Sequence, residues 1–204
     1  MARLKIDYGI DLGTTNSAIC RMEKGEPVVI KTDVLKDTMP SCVSFTRRQS
    51  VKAGDSAFND MKSDKRRASK AGRKEASNAY VEFKRTMGTD TKYTSTHMGR
   101  DYTSEELSAE VLKALKAFVT DENISSAVIT VPAKFTVGQK TATLEAAKLA
   151  GFTKCELLQE PIAAAMAYGL TADSKDGIWM VFDFGGGTFD AALLKVEDGI
   201  MQVF

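Results

Sequence analysis

The sequence predicts a mixed α/β fold with crossover helices on its sheet. Two observations carry this prediction. The first strands are joined by tight turns, whereas the middle of the chain alternates strands with helix-period segments. In addition, one pattern occurs twice: an apolar strand ending in Asp, a turn of small residues, then another strand.

The elements follow in order. Lys5 to Asp11, Ser17 to Met22 and Pro27 to Lys31 alternate as strands, with Lys24-Gly25 turning the second into the third, so an antiparallel meander is expected. Cys42 to Phe45 is a further short strand. From Asp55 to about Ala79 large apolar residues are few, and Lys65, Arg66, Arg67, Lys70, Arg73 and Lys74 form a basic run. Such a run reads as a solvated helix or loop in preference to a surface for an acidic partner. Ser104 reads as an N-cap, with Glu105 and Glu106 where the helix dipole favours anions. Leu107, Val111, Leu115, Phe118 and Val119 then share one helix face. Ala127 to Val131 is a buried-type strand closed by Pro132. A helix over Gly138 to Ala150 ends at Gly151, Cys155 to Gln159 is a strand, and Glu160 to Tyr168 is an Ala-rich helix. Ile178 to Phe182 and Ala191 to Val196 are strands around a triple glycine. Asp198-Gly199 turns the chain into a last strand, Ile200 to Phe204.

Composition narrows the classes of function. The 204 residues are 43% hydrophobic and 27% charged, an ordinary globular balance. Twenty-eight basic residues against 27 acidic ones leave a net charge of +1, which gives no electrostatic reason for nucleic acid or an anionic membrane as partner. No apolar run is long enough to span a bilayer, and the first ten residues do not have the pattern of a signal peptide. Cys20, Cys42 and Cys155 are widely separated and odd in number. They suit free thiols in a reducing compartment, so the cytoplasm is the expected address. One histidine and no paired cysteines make a zinc site an unattractive reading.

The repeated pattern carries the chemistry. Its first copy is Gly9-Ile10-Asp11-Leu12-Gly13-Thr14-Thr15-Asn16; its second is Val181-Phe182-Asp183-Phe184-Gly185-Gly186-Gly187-Thr188. Small residues let backbone N–H groups converge into a concave anion site suited to phosphate. The aspartates repel phosphate but hold magnesium, directly or through water, and the ion bridges to phosphate oxygens. Alone, each copy is equally well a Gly-rich hairpin; together, the two suggest related lobes facing across a cleft. The chain has neither G-x-x-x-x-G-K-[ST] nor G-x-G-x-x-G, so P-loop and dinucleotide sites are not indicated. A third element is Gln159-Glu160-Pro161. Pro161 suits the first helical position and leaves Glu160 at the helix entrance, where a carboxylate faces the cleft of an α/β sheet. The plainer reading of Glu160 is a helix cap.

These stretches resemble the nucleotide-binding domain of the 70-kDa heat-shock chaperones (DnaK-type). The likeness is carried by IDLGTTNS (10–17), PSCVSF (40–45), FKRTMG (83–88), SEELSAEVL (104–112), AVITVPAKF (127–135), AAKLAG (146–151), QEPIAAAMAYGL (159–170) and FDFGGGTFD (182–190). It spans nearly the whole chain apart from the basic stretch 59–79. The resemblance implies an actin-like (ribonuclease H-like) ATPase lobe with a mixed sheet and flanking helices. Residues 1–46 and 119–180 would form the inner subdomain of the first lobe, 47–118 its outer subdomain, and 181–204 the start of a second lobe. The chain thus resembles the front part of a longer protein, and its final meander is expected to have an exposed edge.

The resemblance also implies roles. Gly13, Thr14, Thr15 and Asn16 would line one phosphate loop; Gly185, Gly186, Gly187 and Thr188 would line the other. Asp11, Asp183 and Asp190 would hold hydrated magnesium. Lys84, Glu160 and Thr188 would support hydrolysis, with Lys84 at the γ-phosphate. ATP or ADP with magnesium is implied, and potassium is allowed. Unfolded peptide, a J-domain co-chaperone and a nucleotide exchange factor are the implied partners of the parent. Lys140 stands where the family usually has an Arg linked to relay of the nucleotide state, and lysine lacks the bidentate fork. A non-hydrolysing, nucleotide-gated scaffold of the same fold is the alternative function.

Overall fold

A computed structural model describes residues 6–72, 78–171, 173–185 and 189–204. The chain begins with β1 (Tyr8–Leu12), β2 (Asn16–Glu23), β3 (Glu26–Val29), β4 (Met39–Pro40), β5 (Cys42–Phe45) and β6 (Val51–Ala53). Helix α1 (Gly54–Ala71), β7 (Ala79–Val81), a 3-10 turn (Phe83–Thr86), β8 (Tyr93–Ser95) and β9 (Arg100–Tyr102) follow. Next come α2 (Ser104–Ala117), β10 (Ser126–Val131), α3 (Val137–Leu149), β11 (Lys154–Gln159) and α4 (Glu160–Ala167). The last three strands are β12 (Gly177–Phe184), β13 (Phe189–Glu197) and β14 (Ile200–Val203).

The main sheet is mixed, in the order β11-β10-β1-β2-β3, with β4 paired to β2. β1 runs parallel to β10 and antiparallel to β2, and β10 runs parallel to β11. Strand alternation sorts the faces. Tyr8, Ile10, Leu12, Ile19, Ala127 and Ile129 point into one core with Leu107, Val111, Leu112 and Leu115 of α2 and Ala146 and Ala147 of α3. Gly9, Asp11, Ala18, Val128 and Thr130 alternate with them and belong to the other face. Asp11 therefore leaves the core because Ile10 and Leu12 enter it.

Three smaller sheets complete the fold: β6-β5-β7, β8-β9 and β12-β13-β14. Among the described residues β12 and β14 each pair only with β13, so both outer edges of that meander are open. No described helix is long and apolar enough to cross a membrane.

Local chemistry moves some boundaries. The N-cap of α2 is Thr103 and not Ser104. Thr103 Oγ1 accepts from the Glu106 N–H while Glu106 Oε2 accepts from the Thr103 N–H. This reciprocal box needs a Glu or Gln side chain three residues on to accept from the cap N–H, and Leu107 cannot do so for Ser104. Ser104 is buried instead, its hydroxyl 2.7 Å from that of Thr86. Helix α3 starts one residue earlier than expected because Thr136 and Gln139 form the same kind of box. Pro161 stands second in α4, behind Glu160; either position tolerates its missing N–H, since the first four helix donors have no intrahelical acceptor. The basic segment is helical as far as Ala71. Ala57 and Met61 are buried, and Lys65, Arg66, Arg67 and Lys70 lie in solvent. Arg73 and Lys74 fall outside the described residues.

Candidate functional site

The first turn joins β1 to β2. Asp11 and Ala18 are register partners on the open face, and Gly13 to Thr15 close the hairpin. A Cβ at Gly13 would lie 2.0 Å from the Asn16 carbonyl oxygen, so the turn closes only around a bare backbone. It is braced from behind. Ser41 Oγ donates to the Gly13 carbonyl at 2.7 Å and meets Ser17 Oγ at 2.8 Å, and the Ser41 N–H donates to Thr15 O. The 40–45 segment is thereby the support of the first turn. Asp11 is fixed by Thr130, whose hydroxyl donates to Oδ1 at 2.9 Å.

Lys84 reaches the same space from the 3-10 turn. Phe83 anchors that turn in the core, edge-on to Tyr93, and Glu82 before it takes a left-handed backbone (φ 58°) that few non-glycine residues adopt. Lys84 is only 6% exposed, and its Nζ donates to Glu160 Oε1 at 2.6 Å. Glu160 opens α4 directly after β11, which sets it at the C-terminal end of a parallel strand. Burial pushes the Glu160 carboxyl above its ordinary value. Lys84 pulls it back, and the nearby Asp11 and Asp183 push it up further.

The second turn lies between β12 and β13, where Asp183 is directly opposite Asp190. Asp11, Gly13, Thr14, Thr15, Asn16, Lys84, Thr130, Glu160, Asp183 and Gly185 line one polar cavity of about 440 Å³, together with Ala163 and Ala164. The two hairpins therefore face each other across shared space, with the lysine–glutamate pair on its wall. Asp190 does not line this cavity. It lies in adjoining ones, with its Oδ1 2.7 Å from Lys134 Nζ. Gly186, Gly187 and Thr188 fall outside the described residues.

Among the described residues no three His, Cys, Asp or Glu side chains cluster closely enough to ligate one ion. Asp11 and Asp183 line one polar cavity, a donor set that suits a hydrated divalent cation held by one or two protein carboxylates. Motif reading gives no role to three contributors: Thr130 on Asp11, Ser41 under Gly13, and Lys134 on Asp190. Only Thr130 left a signal, as a polar residue on the open face beside Val128 near the end of β10.

A mixed sheet with flanking helices, whose hairpin turn faces a second acid-bearing hairpin across a polar cleft, is the architecture of an actin-like ATPase. A family model described as Hsp70 protein matches residues 7–204. The chain belongs to the Hsp70 family. That family comprises ATP-binding chaperones that take ATP or ADP with a divalent metal and work with peptide substrates and co-chaperones.

Proposed function

We propose that this chain grips the phosphates of ATP between its two hairpins and carries the hydrolytic residues of a chaperone ATPase. The observation that supports it most is the single cavity shared by Asp11, Gly13 to Asn16, Lys84, Glu160, Asp183 and Gly185. In this reading the turn backbones at Gly13–Asn16 and Gly185 donate to phosphate oxygens. Asp11 and Asp183 would hold magnesium, which when bound would offset charge on the phosphates. Thr188 joins the proposal through the family likeness alone.

Lys84 brings a buried positive charge to the end of the chain of phosphates. There it stabilises charge on the transferred group as water attacks the terminal phosphorus and the bond to ADP breaks. Glu160 holds Lys84 in position and, with its remaining oxygen, accepts a hydrogen bond from a water in the cavity. Residues 1–46 and 119–180 act as the inner part of one lobe, 47–118 as its outer part, and 181–204 as the start of the other. The nucleotide state then controls peptide binding, assisted by a J-domain co-chaperone and an exchange factor. The cytoplasm is the proposed address, supported by three cysteines that are all free thiols.

Calorimetry with ATP and magnesium tests the site. Saturable binding that is lost in the Asp11→Asn, Asp183→Asn double variant is expected. Equal isotherms for the two proteins would remove the reading. Single-turnover hydrolysis by the natural protein separates an ATPase from a nucleotide-gated scaffold: turnover that survives both Lys84→Ala and Glu160→Gln takes those two residues out of the chemistry.

A further inference from the structure

Asp183 and Asp190 are register partners on β12 and β13, so two carboxylates flank the second turn on directly opposed positions. Like charges set opposite one another on adjacent strands repel. The family likeness would give both to cations. Asp190 departs from this, because an ammonium already meets it: Lys134 Nζ stands 2.7 Å from Asp190 Oδ1.

The position of Lys134 gives this pair its meaning. Lys134 lies in the link between β10 and α3, on the main sheet, whereas Asp190 belongs to the separate β12-β13-β14 sheet. The pair therefore spans the cleft. β10 and the residues just beyond it touch one carboxylate from each hairpin: Thr130 donates to Asp11, and Lys134 donates to Asp190. Both contacts adjoin Glu160, which lines the cavity of Asp11 and Asp183 as well as the two cavities that hold Lys134 and Asp190. The four carboxylates are thus divided. Glu160 has Lys84, Asp190 has Lys134, and Asp11 and Asp183 are left to a divalent ion.

We infer that Lys134 is a tethered counter-cation for Asp190, positioning the second hairpin against the first and taking the place that a mobile monovalent cation would otherwise fill. A tethered ammonium arrives without the entropy of capturing a free ion. The Lys134 side chain is 78% exposed, so the pair adds little to folding stability. Its effect is to place one positive charge beside the phosphate cavity. The effect on ATP affinity rests on the nucleotide reading of the site, whereas the lysine–aspartate pair and its exclusion of a free cation do not.

Two measurements on the 204-residue chain test this. In the first, thallium(I), a spectroscopic stand-in for potassium, is titrated without nucleotide and followed by thallium NMR. Lys134→Met should gain a bound-cation signal that the wild type, Lys134→Arg and the Lys134→Met, Asp190→Asn double variant lack. Identical titrations of wild type and Lys134→Met would overturn the inference, whether or not the chain binds ATP. In the second, ATP affinity is compared in potassium, sodium and choline at one ionic strength. The wild type should vary less than about twofold, whereas Lys134→Met should lose about tenfold in choline and recover in potassium, as expected for one unscreened charge near the phosphates. A wild type that itself requires potassium would equally overturn it. Absence of ATP binding in every protein would sink the nucleotide reading and leave the thallium result to decide this one.

Discussion

Lys84 and Glu160 meet at 2.6 Å although they come from a 3-10 turn and a helix start far apart in the chain, and the lysine is almost wholly withdrawn from solvent. A withdrawn ion pair behaves asymmetrically: keeping both partners is nearly neutral, but removing one strands the other. Lys84→Met keeps the bulk and deletes the charge. It should cost about 1–3 kcal/mol at neutral pH in urea unfolding, with an unchanged m-value. The Lys84→Met, Glu160→Gln double variant should recover part of that loss. A double variant less stable than Lys84→Met alone would contradict the pairing.

The pH response of Glu160 has a definite sign. Burial raises its folded-state pKa above the ordinary 4.5, with Lys84 opposing and Asp11 and Asp183 reinforcing the rise. The folded protein then holds this proton more tightly than the unfolded chain. The contribution of Glu160 to stability is greatest below about 4.5 and declines as pH rises from there through the raised value. Glu160→Gln lacks this decline. Urea midpoints measured from pH 4 to 7 should show the wild type falling relative to the variant and then levelling; a relative rise would refute the assignment.

The capping box at Thr103 and Glu106 predicts the opposite trend. Burial acts to raise the Glu106 carboxyl, but the Arg100 guanidinium and the Thr103 N–H outweigh it and hold the group below its ordinary value. Its stabilisation is present above about 4.5 and is lost as pH falls through the lowered value. Thr103→Ala should cost about 1 kcal/mol, and Thr103→Ser should cost little. Thermal unfolding at pH 7 checks both.

Two glycines separate steric from conformational need. Gly13→Ala forces a methyl against the Asn16 carbonyl, so the first turn must open. It should lose ATP binding together with about 1–3 kcal/mol of stability. Gly25, in the β2–β3 turn, has φ +92° with open space around it. Gly25→Ala should cost about 1–2 kcal/mol for the left-handed backbone alone and leave ATP binding intact. Calorimetry beside urea unfolding distinguishes them, and equal loss of binding in both would show that Gly13 has no special place in the site.

Much of the fold was legible because its signals are local. Ile10 and Leu12 flanking Asp11 announce a strand with its acid on the other face, and Leu107, Val111 and Leu115 announce a helix by spacing. The repeat around Asp11 and Asp183 announced two matching turns. What could not be read was partnership. Lys84 is one of many lysines in composition terms, and only the folded structure brings its ammonium to Glu160. The N-cap of α2 was misassigned to Ser104 because Thr103 and Ser104 are both good caps alone. The reciprocal bond to Glu106 decides between them.

By itself, the sequence determined the alternation that forms each strand and helix, the two acid-bearing turns and the family to which the chain belongs. The alternation and the turns depend on side-chain periodicity and backbone preference, which act over a few residues, and the family is carried by particular residue strings along the chain. Only the tertiary structure decided that both turns open on one cavity, that Glu160 answers Lys84, and that Lys134 claims Asp190 from across the cleft. Charge pairing depends on distance in space, and nothing in the order of residues encodes which of many lysines will be brought within hydrogen-bond reach of which carboxylate.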